Sequence, residues 1–194
     1  SGSAGNPITI YFEPNAKMSA PYWSTWTPPF TQRGLPSDDA TTQISAIYMK
    51  SKSYIIIDGG IIGGEPNGII EATATGTGFG NNYSFAGVYG KVSNNIEIKN
   101  LKILNMYKRA PNSDDYWTVG AGVMMTGSDI SVHDNFLSDA FYCVSVGGGS
   151  VAGTSRNIKI YNNEVTHCDV GLNAALGTDG VSFDGVEIYN NHIY

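Results

Sequence analysis

Two closely similar segments near the end of the sequence carry the fold prediction. Residues 157–165 have the sequence Asn-Ile-Lys-Ile-Tyr-Asn-Asn-Glu-Val, and residues 185–193, 28 positions later, have the sequence Gly-Val-Glu-Ile-Tyr-Asn-Asn-His-Ile. Related segments start at positions 54, 95 and 129, and residues 7–12 form a candidate sixth copy. Each copy alternates apolar and polar residues and then reaches a polar corner. This pattern predicts a β-strand followed by a sharp bend.

The spacing of the copies predicts that their strands stack in parallel. A second, weaker apolar run follows each corner, and no window has helical apolar spacing over three turns. Repeats of this kind are typical of a parallel β-helix, in which successive coils lie ~4.8 Å apart. We therefore expect an all-β, single-stranded parallel β-helix of about five to six coils. The central apolar residues recur at intervals of 41, 34, 28 and 28 residues, at Ile57, Ile98, Val132, Ile160 and Ile188.

The form Asn-Ile-x-Ile-x-Asn-Asn, over residues 54–194, resembles the right-handed parallel β-helix superfamily typified by pectate lyases and polygalacturonases. Residues 5–10, Gly-Asn-Pro-Ile-Thr-Ile, are similar to an early coil of the polysaccharide-lyase branch. The resemblance implies a right-handed winding and a function on polysaccharides. It favours cleavage of an acidic plant or algal polysaccharide by β-elimination.

Composition limits the classes of function. The chain has 194 residues, a net charge of −6 and no basic run, which argues against nucleic-acid binding. No apolar stretch approaches the ~18 residues of a membrane span. Low charge, 24 Gly and 12 Tyr suggest a secreted or cell-surface protein.

The repeats predict a single domain. We expect one domain over residues 1–194, with long inserted loops at 21–43 and 105–119. We also expect a fragment of a longer protein, its coil ends covered by partner domains or chains.

The corners predict a ladder of stacked amide side chains. Asn tolerates the left-handed backbone conformation that a one-residue corner needs, and its side chain can bond neighbouring backbone groups. The ladder is expected to contain Asn100, Asn135, Asn163 and Asn191, with Gly60 in the first coil.

The two cysteines, Cys143 and Cys168, are expected to be buried free thiols. At a pitch of 28 residues Cys168 lies over Ala140, three residues away from Cys143. Three extended residues span ~10 Å, which exceeds the ~7 Å limit between the Cα atoms of a disulfide.

The loop after the first copy is rich in aromatic residues. Trp23 and Trp26 lie in a stretch with three prolines and could form a stiff platform for sugar rings. The alternative is that the loop folds back and buries its rings as a cap over the end of the helix.

The second long loop, residues 106–117, combines cations, carboxylates and aromatic residues. In the lyases that the chain resembles, Lys or Arg serves as the base and carboxylate-bound calcium stabilises the developing negative charge. The alternative is a solvated loop in which Arg109 pairs with an aspartate, an interaction worth ~1 kcal/mol at most. The resemblance implies a base at Lys108 or Arg109 and calcium at Asp114 and Asp115. The aromatic residues Tyr116 and Trp117 are candidate carbohydrate contacts.

Residues 177–180, Gly-Thr-Asp-Gly, resemble the Asn-Thr-Asp-Gly motif of polygalacturonase-type hydrolases, with Gly177 in place of Asn. The resemblance implies a catalytic carboxyl group at Asp179. The same residues also suit an ordinary turn.

The repeat predicts one outward face with stacked polar side chains. Lys99, His133, Tyr161 and Tyr189 all fall on it. Tyr161 and Tyr189 are candidate glycan contacts, and the alternative is a cross-strand ladder that stabilises the sheet.

Three functions remain open at this point. The first is a polysaccharide lyase, or failing that a glycoside hydrolase. The second is a non-catalytic module that binds a neutral glycan such as cellulose through its aromatic loop. The third is the structural shaft of a surface fibre or phage tailspike.

Overall fold

The computed structural model describes residues 1–21, 23, 45–73, 86–106, 120–148, 153–176 and 181–194. These residues form β-strands, turns and bends, and no helix occurs among them. The strands are β1 (Ile8–Tyr11), β2 (Lys17–Ala20), β3 (Ser45–Lys50), β4 (Ser53–Asp58), β5 (Ile61–Ile62), β6 (Glu65–Pro66), β7 (Gly68–Ala72), β8 (Ala86–Lys91), β9 (Asn94–Lys99), β10 (Leu101–Leu104), β11 (Ala121–Thr126), β12 (Ile130–His133), β13 (Phe136–Gly148), β14 (Gly153–Tyr161), β15 (Glu164–Leu176), β16 (Val181–Tyr189) and β17 (His192–Ile193).

The repeat segments form a first sheet of six parallel strands, in the order β1-β4-β9-β12-β14-β16. Its register confirms the alignment of the copies, because Ile57 pairs with Ile98, and Val132 pairs with both Ile98 and Ile160. The candidate sixth copy is confirmed as well, since β1 pairs with β4. The period-two pattern therefore predicts both the strands and their pairing.

A second sheet of nine strands contains the runs that follow the corners, together with β3, β8 and β11, which precede the repeat strands β4, β9 and β12. Its order is β2-β7-β10-β13-β11-β8-β3, and β15 pairs with β13 and with β17. All of these pairs are parallel, whereas β5 and β6 form a short antiparallel hairpin outside both sheets. The structure thus confirms an all-β architecture of parallel strands.

The core consists of the inward-facing apolar residues of the repeats. Ile57, Ile98, Val132 and Ile160 are completely buried, as the stacking predicts. Ile188 has the predicted register on β16, which is the outermost strand of the first sheet, and it is 46% exposed.

The corners after β9, β12, β14 and β16 each contain one residue in the left-handed conformation. Asn100, Asp134, Asn162 and Asn190 have φ values of 57°, 54°, 52° and 52°. Asn and Asp adopt this conformation more readily than other non-glycine residues, which explains the polar corner of the sequence pattern.

The amide ladder contains Asn135, Asn163 and Asn191, and the prediction that Asn100 belongs to it is wrong. Asn135 Nδ2 donates to Asn163 Oδ1 and Asn163 Nδ2 donates to Asn191 Oδ1, both at 3.0 Å. Asn100 is itself a left-handed corner residue, so the ladder position of its repeat falls one residue later, on Leu101. The Leu101 backbone N–H donates to Asn135 Oδ1 at 3.0 Å.

Cys143 and Cys168 form a disulfide, which overturns the expectation of free thiols. The predicted register is correct, because Ala140 pairs with Cys168. The distance argument fails because β13 and β15 bend at Asp139 and His167, whose φ values are 56° and 53°. The chain is not extended across this bend, and the Cα atoms of the two cysteines lie 5.8 Å apart.

Candidate functional site

The outward side chains of the first sheet form two parallel rows, which we call the outer face. The residues predicted to share a face do so, because His133 pairs with Lys99 and Tyr161, and Tyr161 pairs with Tyr189. The first row contains Tyr11, Asp58, Lys99, His133, Tyr161 and Tyr189. The second row contains Thr9, Ile56, Glu97, Ser131, Lys159 and Glu187.

Three rings of the first row are stacked. The ring centroids of His133 and Tyr161 are 4.5 Å apart with an interplanar angle of 6°, and those of Tyr161 and Tyr189 are 5.0 Å apart at 4°. The rings therefore cover one another's faces and leave their outer edges toward solvent. Side chains stand roughly perpendicular to a sheet, so the tyrosine hydroxyls lie at these edges. This arrangement suits hydrogen bonding to a ligand better than flat stacking against it.

Two carboxylates hold the His133 imidazole. Its Nδ1 lies 2.6 Å from Asp134 Oδ2, and its Nε2 lies 3.0 Å from Glu97 Oε1. The ring is buried between its neighbours in the row, with 7% of the residue exposed. Asp134 belongs to the corner and Glu97 to the preceding strand, so the imidazole joins the flat part of the outer face to its edge.

Lys99 is held by the same carboxylate cluster. Its Nζ lies 2.9 Å from Glu97 Oε1 and 4.0 Å from Asp58 Oδ2. The hydrogen bond to Glu97 raises the pKa of Lys99, in opposition to partial desolvation. Asn100 Nδ2 donates to Asp58 Oδ1 at 2.8 Å. Three carboxylates thus surround one lysine and one histidine, which makes this part of the outer face acidic.

The hydroxyl group of Tyr161 remains protonated well into alkaline solution. Burial raises the pKa of Tyr161, and the neighbouring Tyr189, Asp134 and Glu97 raise it further. A neutral phenol both donates and accepts a hydrogen bond, as a sugar hydroxyl does.

An open depression of about 300 Å³ lies on the outer face next to these groups. Glu97, Ser131, His133 and Tyr161 line one side of it. Its volume is at the lower end of the range for small-molecule sites. The depression brings a carboxylate, a hydroxyl and a phenol to one surface, beside an imidazole whose two nitrogens contact Asp134 and Glu97. The first three groups can bind a ligand rich in hydroxyl groups.

The predicted platform residue Trp23 is buried, with 9% exposed, and packs with the core. Its Nε1 donates to the Glu71 carbonyl oxygen at 3.1 Å. A buried indole is what the cap alternative expects. Trp26 lies outside the described residues, so the interpretation of the loop as a whole stays a prediction.

The predicted catalytic and calcium-binding residues also lie outside the described part of the chain, and their roles stay predictions. Within the described part, no group of three or more His, Cys, Asp or Glu residues could hold a metal ion. The described part also contains no helix that is long and apolar enough to cross a membrane. The predicted residues that fall outside are Lys108, Arg109, Asp114, Asp115, Tyr116, Trp117 and Asp179.

Sequence analysis missed the carboxylates Asp58, Glu97 and Asp134. A signal for Glu97 was present, because it precedes Lys99 by two residues and therefore shares its face of the strand. Asp134 occupies a corner, where Asp is explained by backbone conformation alone and gives no functional signal.

Comparison with known proteins gives no match for this chain. Neither a protein family, nor a curated protein, nor a solved structure matches it.

Proposed function

We propose that this protein is a right-handed parallel β-helix that binds a neutral polysaccharide along its outer face. The parallel pairing of successive repeats in both sheets supports the winding of the chain as a helix. Parallel strands joined by a crossover connection are right-handed in about 98% of cases.

The observation that carries the function is the pair of regular rows on the first sheet. Neighbouring strands lie ~4.8 Å apart, so the rows, apart from Ile56, present polar groups at a constant short interval. A linear polysaccharide presents hydroxyl groups in an equally repetitive way. The exposed edges of Tyr161 and Tyr189, together with Lys159 and Glu187, can therefore form similar hydrogen bonds to successive sugars.

The charge of the outer face favours a neutral polymer. Asp58, Glu97 and Asp134 outnumber the one lysine in the cluster. A uronic-acid polymer placed here would meet like charges, which are weakly screened near a protein surface.

The disulfide supports a location outside the cytoplasm. Disulfides such as Cys143–Cys168 form and persist in oxidising environments, and they are rare in cytosolic proteins. We therefore propose that the protein is secreted or displayed at a cell surface.

Tyrosine-to-phenylalanine variants test the binding surface directly. Tyr161→Phe combined with Tyr189→Phe keeps the ring stack and removes two hydroxyl groups. We expect affinity for a neutral hexasaccharide such as cellohexaose or xylohexaose to fall about tenfold, from two lost hydrogen bonds. The matched control is Tyr48→Phe, because Tyr48 also belongs to a stacked pair, with its ring centroid 5.3 Å from that of Tyr89 on the second sheet. Equal affinity of the double variant and the wild type would contradict the proposal, as would no binding to any neutral hexasaccharide.

A polysaccharide lyase is the second candidate function. The observation in its favour is the repeat form Asn-Ile-x-Ile-x-Asn-Asn, which resembles that of the superfamily typified by pectate lyases. The candidate bases Lys108 and Arg109 follow the completely buried Met106 in sequence and lie outside the described residues.

The lyase hypothesis makes its own prediction. Incubation with uronic-acid polymers should release an unsaturated product detectable by ultraviolet absorbance, and a calcium chelator should stop the reaction. Either Lys108→Ala or Arg109→Ala, made singly, should lower the rate by about 100-fold, as expected for a lost general base. If the wild type releases no unsaturated sugar, or if both variants keep the full rate, the lyase hypothesis is wrong.

A further inference from the structure

One corner of the first sheet carries a hairpin that the other corners lack. After β12 and β14 the chain turns on a single left-handed residue, Asp134 or Asn162. After β4 it turns at Gly60 and extends through β5 and β6, with Gly63 and Gly64 at the tip, before it returns at Gly68. The hairpin exposes Ile61 and Ile62 by 60% and 46%. Ordering such a hairpin costs conformational entropy, and its exposed isoleucines gain little from burial.

Hydrogen bonds clamp the base of the hairpin to the neighbouring chain. Asn67 Nδ2 donates to the carbonyl oxygens of Gly59 at 3.0 Å and Glu13 at 3.2 Å. The backbone N–H of Asn67 donates to the Gly60 carbonyl oxygen at 3.0 Å, and the Asn15 N–H donates to Asn67 Oδ1 at 2.9 Å. The hairpin is therefore held in one position at the corner.

A cavity of about 220 Å³ lies between the hairpin and the corners of the following repeats, and we call it the hairpin cleft. Ile61 and Pro66 line it from the hairpin, and Phe136 lines it from β13. The corner after β12 contributes Asp134 to the lining. The corner between β14 and β15 contributes Asn162, and the start of β15 contributes Glu164.

The lining has the chemistry of a site for one sugar ring. Apolar side chains can pack against the C–H face of a pyranose, and the amide and carboxylates can bind its hydroxyl groups. Among the described residues that line the cleft, none is Lys, Arg or His, whereas two, Asp134 and Glu164, carry carboxylates. This charge favours a neutral sugar over a uronic acid or a sulfated sugar.

The hairpin cleft is continuous with the outer face. Asp134 lines the cleft, and its Oδ2 lies 2.6 Å from Nδ1 of His133, which lines the depression on the outer face. His133 and Asp134 therefore separate the depression on the outer face from the cleft, and a bound polymer can extend over this pair from one to the other.

We propose that the hairpin cleft is a subsite that binds one neutral sugar ring of the polysaccharide. Because the cleft is proposed as one subsite of a polymer-binding surface, this inference rests on the proposed function. The occupancy of the cleft by a single sugar can be tested separately.

The test compares two isoleucines of the same hairpin. Ile61 lines the cleft and Ile62 does not, although both are exposed. Ile61→Asp should lower the affinity for the neutral hexasaccharide about tenfold, and Ile62→Asp should leave it unchanged. In the wild type labelled at isoleucine methyl groups, saturating glucose, mannose or galactose should shift the Ile61 methyl resonances and leave those of Ile62 in place. Glucuronate should shift neither.

The outcomes separate the two proposals. If the hexasaccharide binds and responds to the Tyr161 and Tyr189 variant but not to Ile61→Asp, the cleft inference is overturned and the outer face stands. If the hexasaccharide does not bind but a single neutral sugar shifts Ile61, the cleft stands and the polymer function falls. If neither neutral sugars nor the hexasaccharide affects Ile61, the cleft is not a sugar subsite.

Discussion

Amide side chains supply the hydrogen bonds that the backbone lacks at the bends of this molecule. Asn163 is 1% exposed, and its Nδ2 donates to the carbonyl oxygens of Val132 and Tyr161, each at 3.0 Å. Its Oδ1 accepts from the Asn135 backbone at 3.2 Å. One side chain thus satisfies buried groups of two neighbouring repeats, which water cannot reach.

Replacing Asn163 with leucine should therefore destabilise the protein. The change leaves a buried N–H and buried carbonyl oxygens without partners, and we expect a loss of about 1–3 kcal/mol in the free energy of unfolding. Urea denaturation measures it. Asn191→Leu is the matched control and should cost less, because Asn191 lies at the end of the ladder and is only half-buried. An unchanged midpoint for Asn163→Leu would contradict the structural role of the ladder.

The sequence predicted which residue type forms the ladder but misplaced one member of it. Two asparagines follow Tyr161 and Tyr189, the first for the corner and the second for the ladder. Asn100 stands alone before Leu101, and sequence similarity cannot decide which of the two roles a single asparagine takes. The decision depends on backbone conformation, which is left-handed at Asn100.

The carboxylate of Glu71 gives a pH-dependent contribution to stability. Lys17 Nζ lies 2.5 Å from Glu71 Oε1, and Ser19 Oγ donates to the same oxygen at 2.9 Å. The hydrogen bond from Lys17 lowers the pKa of Glu71 below its ordinary value of 4.5, although burial opposes the shift. A lowered pKa means that the stabilisation is present above pH 4.5 and is lost as the pH falls through the folded-state pKa.

Glu71→Gln should remove this part of the acid sensitivity. The stability difference between wild type and variant should be largest at neutral pH and should shrink as the pH falls below 4.5. Thermal melting from pH 7 to pH 3 measures the difference. Lys17→Met should flatten the pH profile in the same way, because it removes the partner that lowers the pKa. A stability difference between wild type and variant that grows toward acid pH would contradict the lowered pKa of Glu71.

At the scale of elements, the long strands β13 and β15 connect two faces of the molecule by bending. Their left-handed residues Asp139 and His167 stand next to each other in the pairing register. The disulfide lies just after this bend and joins the two strands through Cys143 and Cys168. It therefore links two successive repeats beside the bend.

Reduction of the disulfide should lower stability without changing the strand pairing. The cysteines are separated by 25 residues, and closing a loop of this length stabilises a protein by about 3.5 kcal/mol in the chain-entropy model. Urea denaturation with and without reductant measures the loss. The variant with both cysteines changed to alanine should not respond to reductant. Titration of two thiols in the unfolded, unreduced wild type would contradict the disulfide.

The elements show where prediction from sequence ends. The 28-residue interval predicted the pairing of Ile160 with Ile188, and these residues do pair, between β14 and β16. The disulfide was missed because the distance estimate treated the chain around Ala140 as straight. The hairpin of β5 and β6 was missed because strands of two residues leave too little pattern to detect.

In the molecule as a whole, the parallel register places residues from separate repeats side by side, so that they form continuous surfaces. Asp134 follows His133 directly in the sequence, whereas Glu97 lies 36 residues away and meets His133 only because β9 and β12 are paired. This is why the sequence predicted the outer face but not its acidic cluster. The proposed function rests on this surface, which is regular, polar and acidic around His133.

Mapping a neutral hexasaccharide onto the protein by amide NMR tests the central claim most directly. We expect chemical-shift changes to concentrate on the outer face, at Lys99, His133, Tyr161 and Tyr189, and to spare Tyr48 on the second sheet. Hexagalacturonate at the same concentration should cause smaller changes there, because of the carboxylates around His133. Changes confined to the second sheet, or none for any neutral hexasaccharide, would contradict the claim that the outer face binds a neutral polysaccharide.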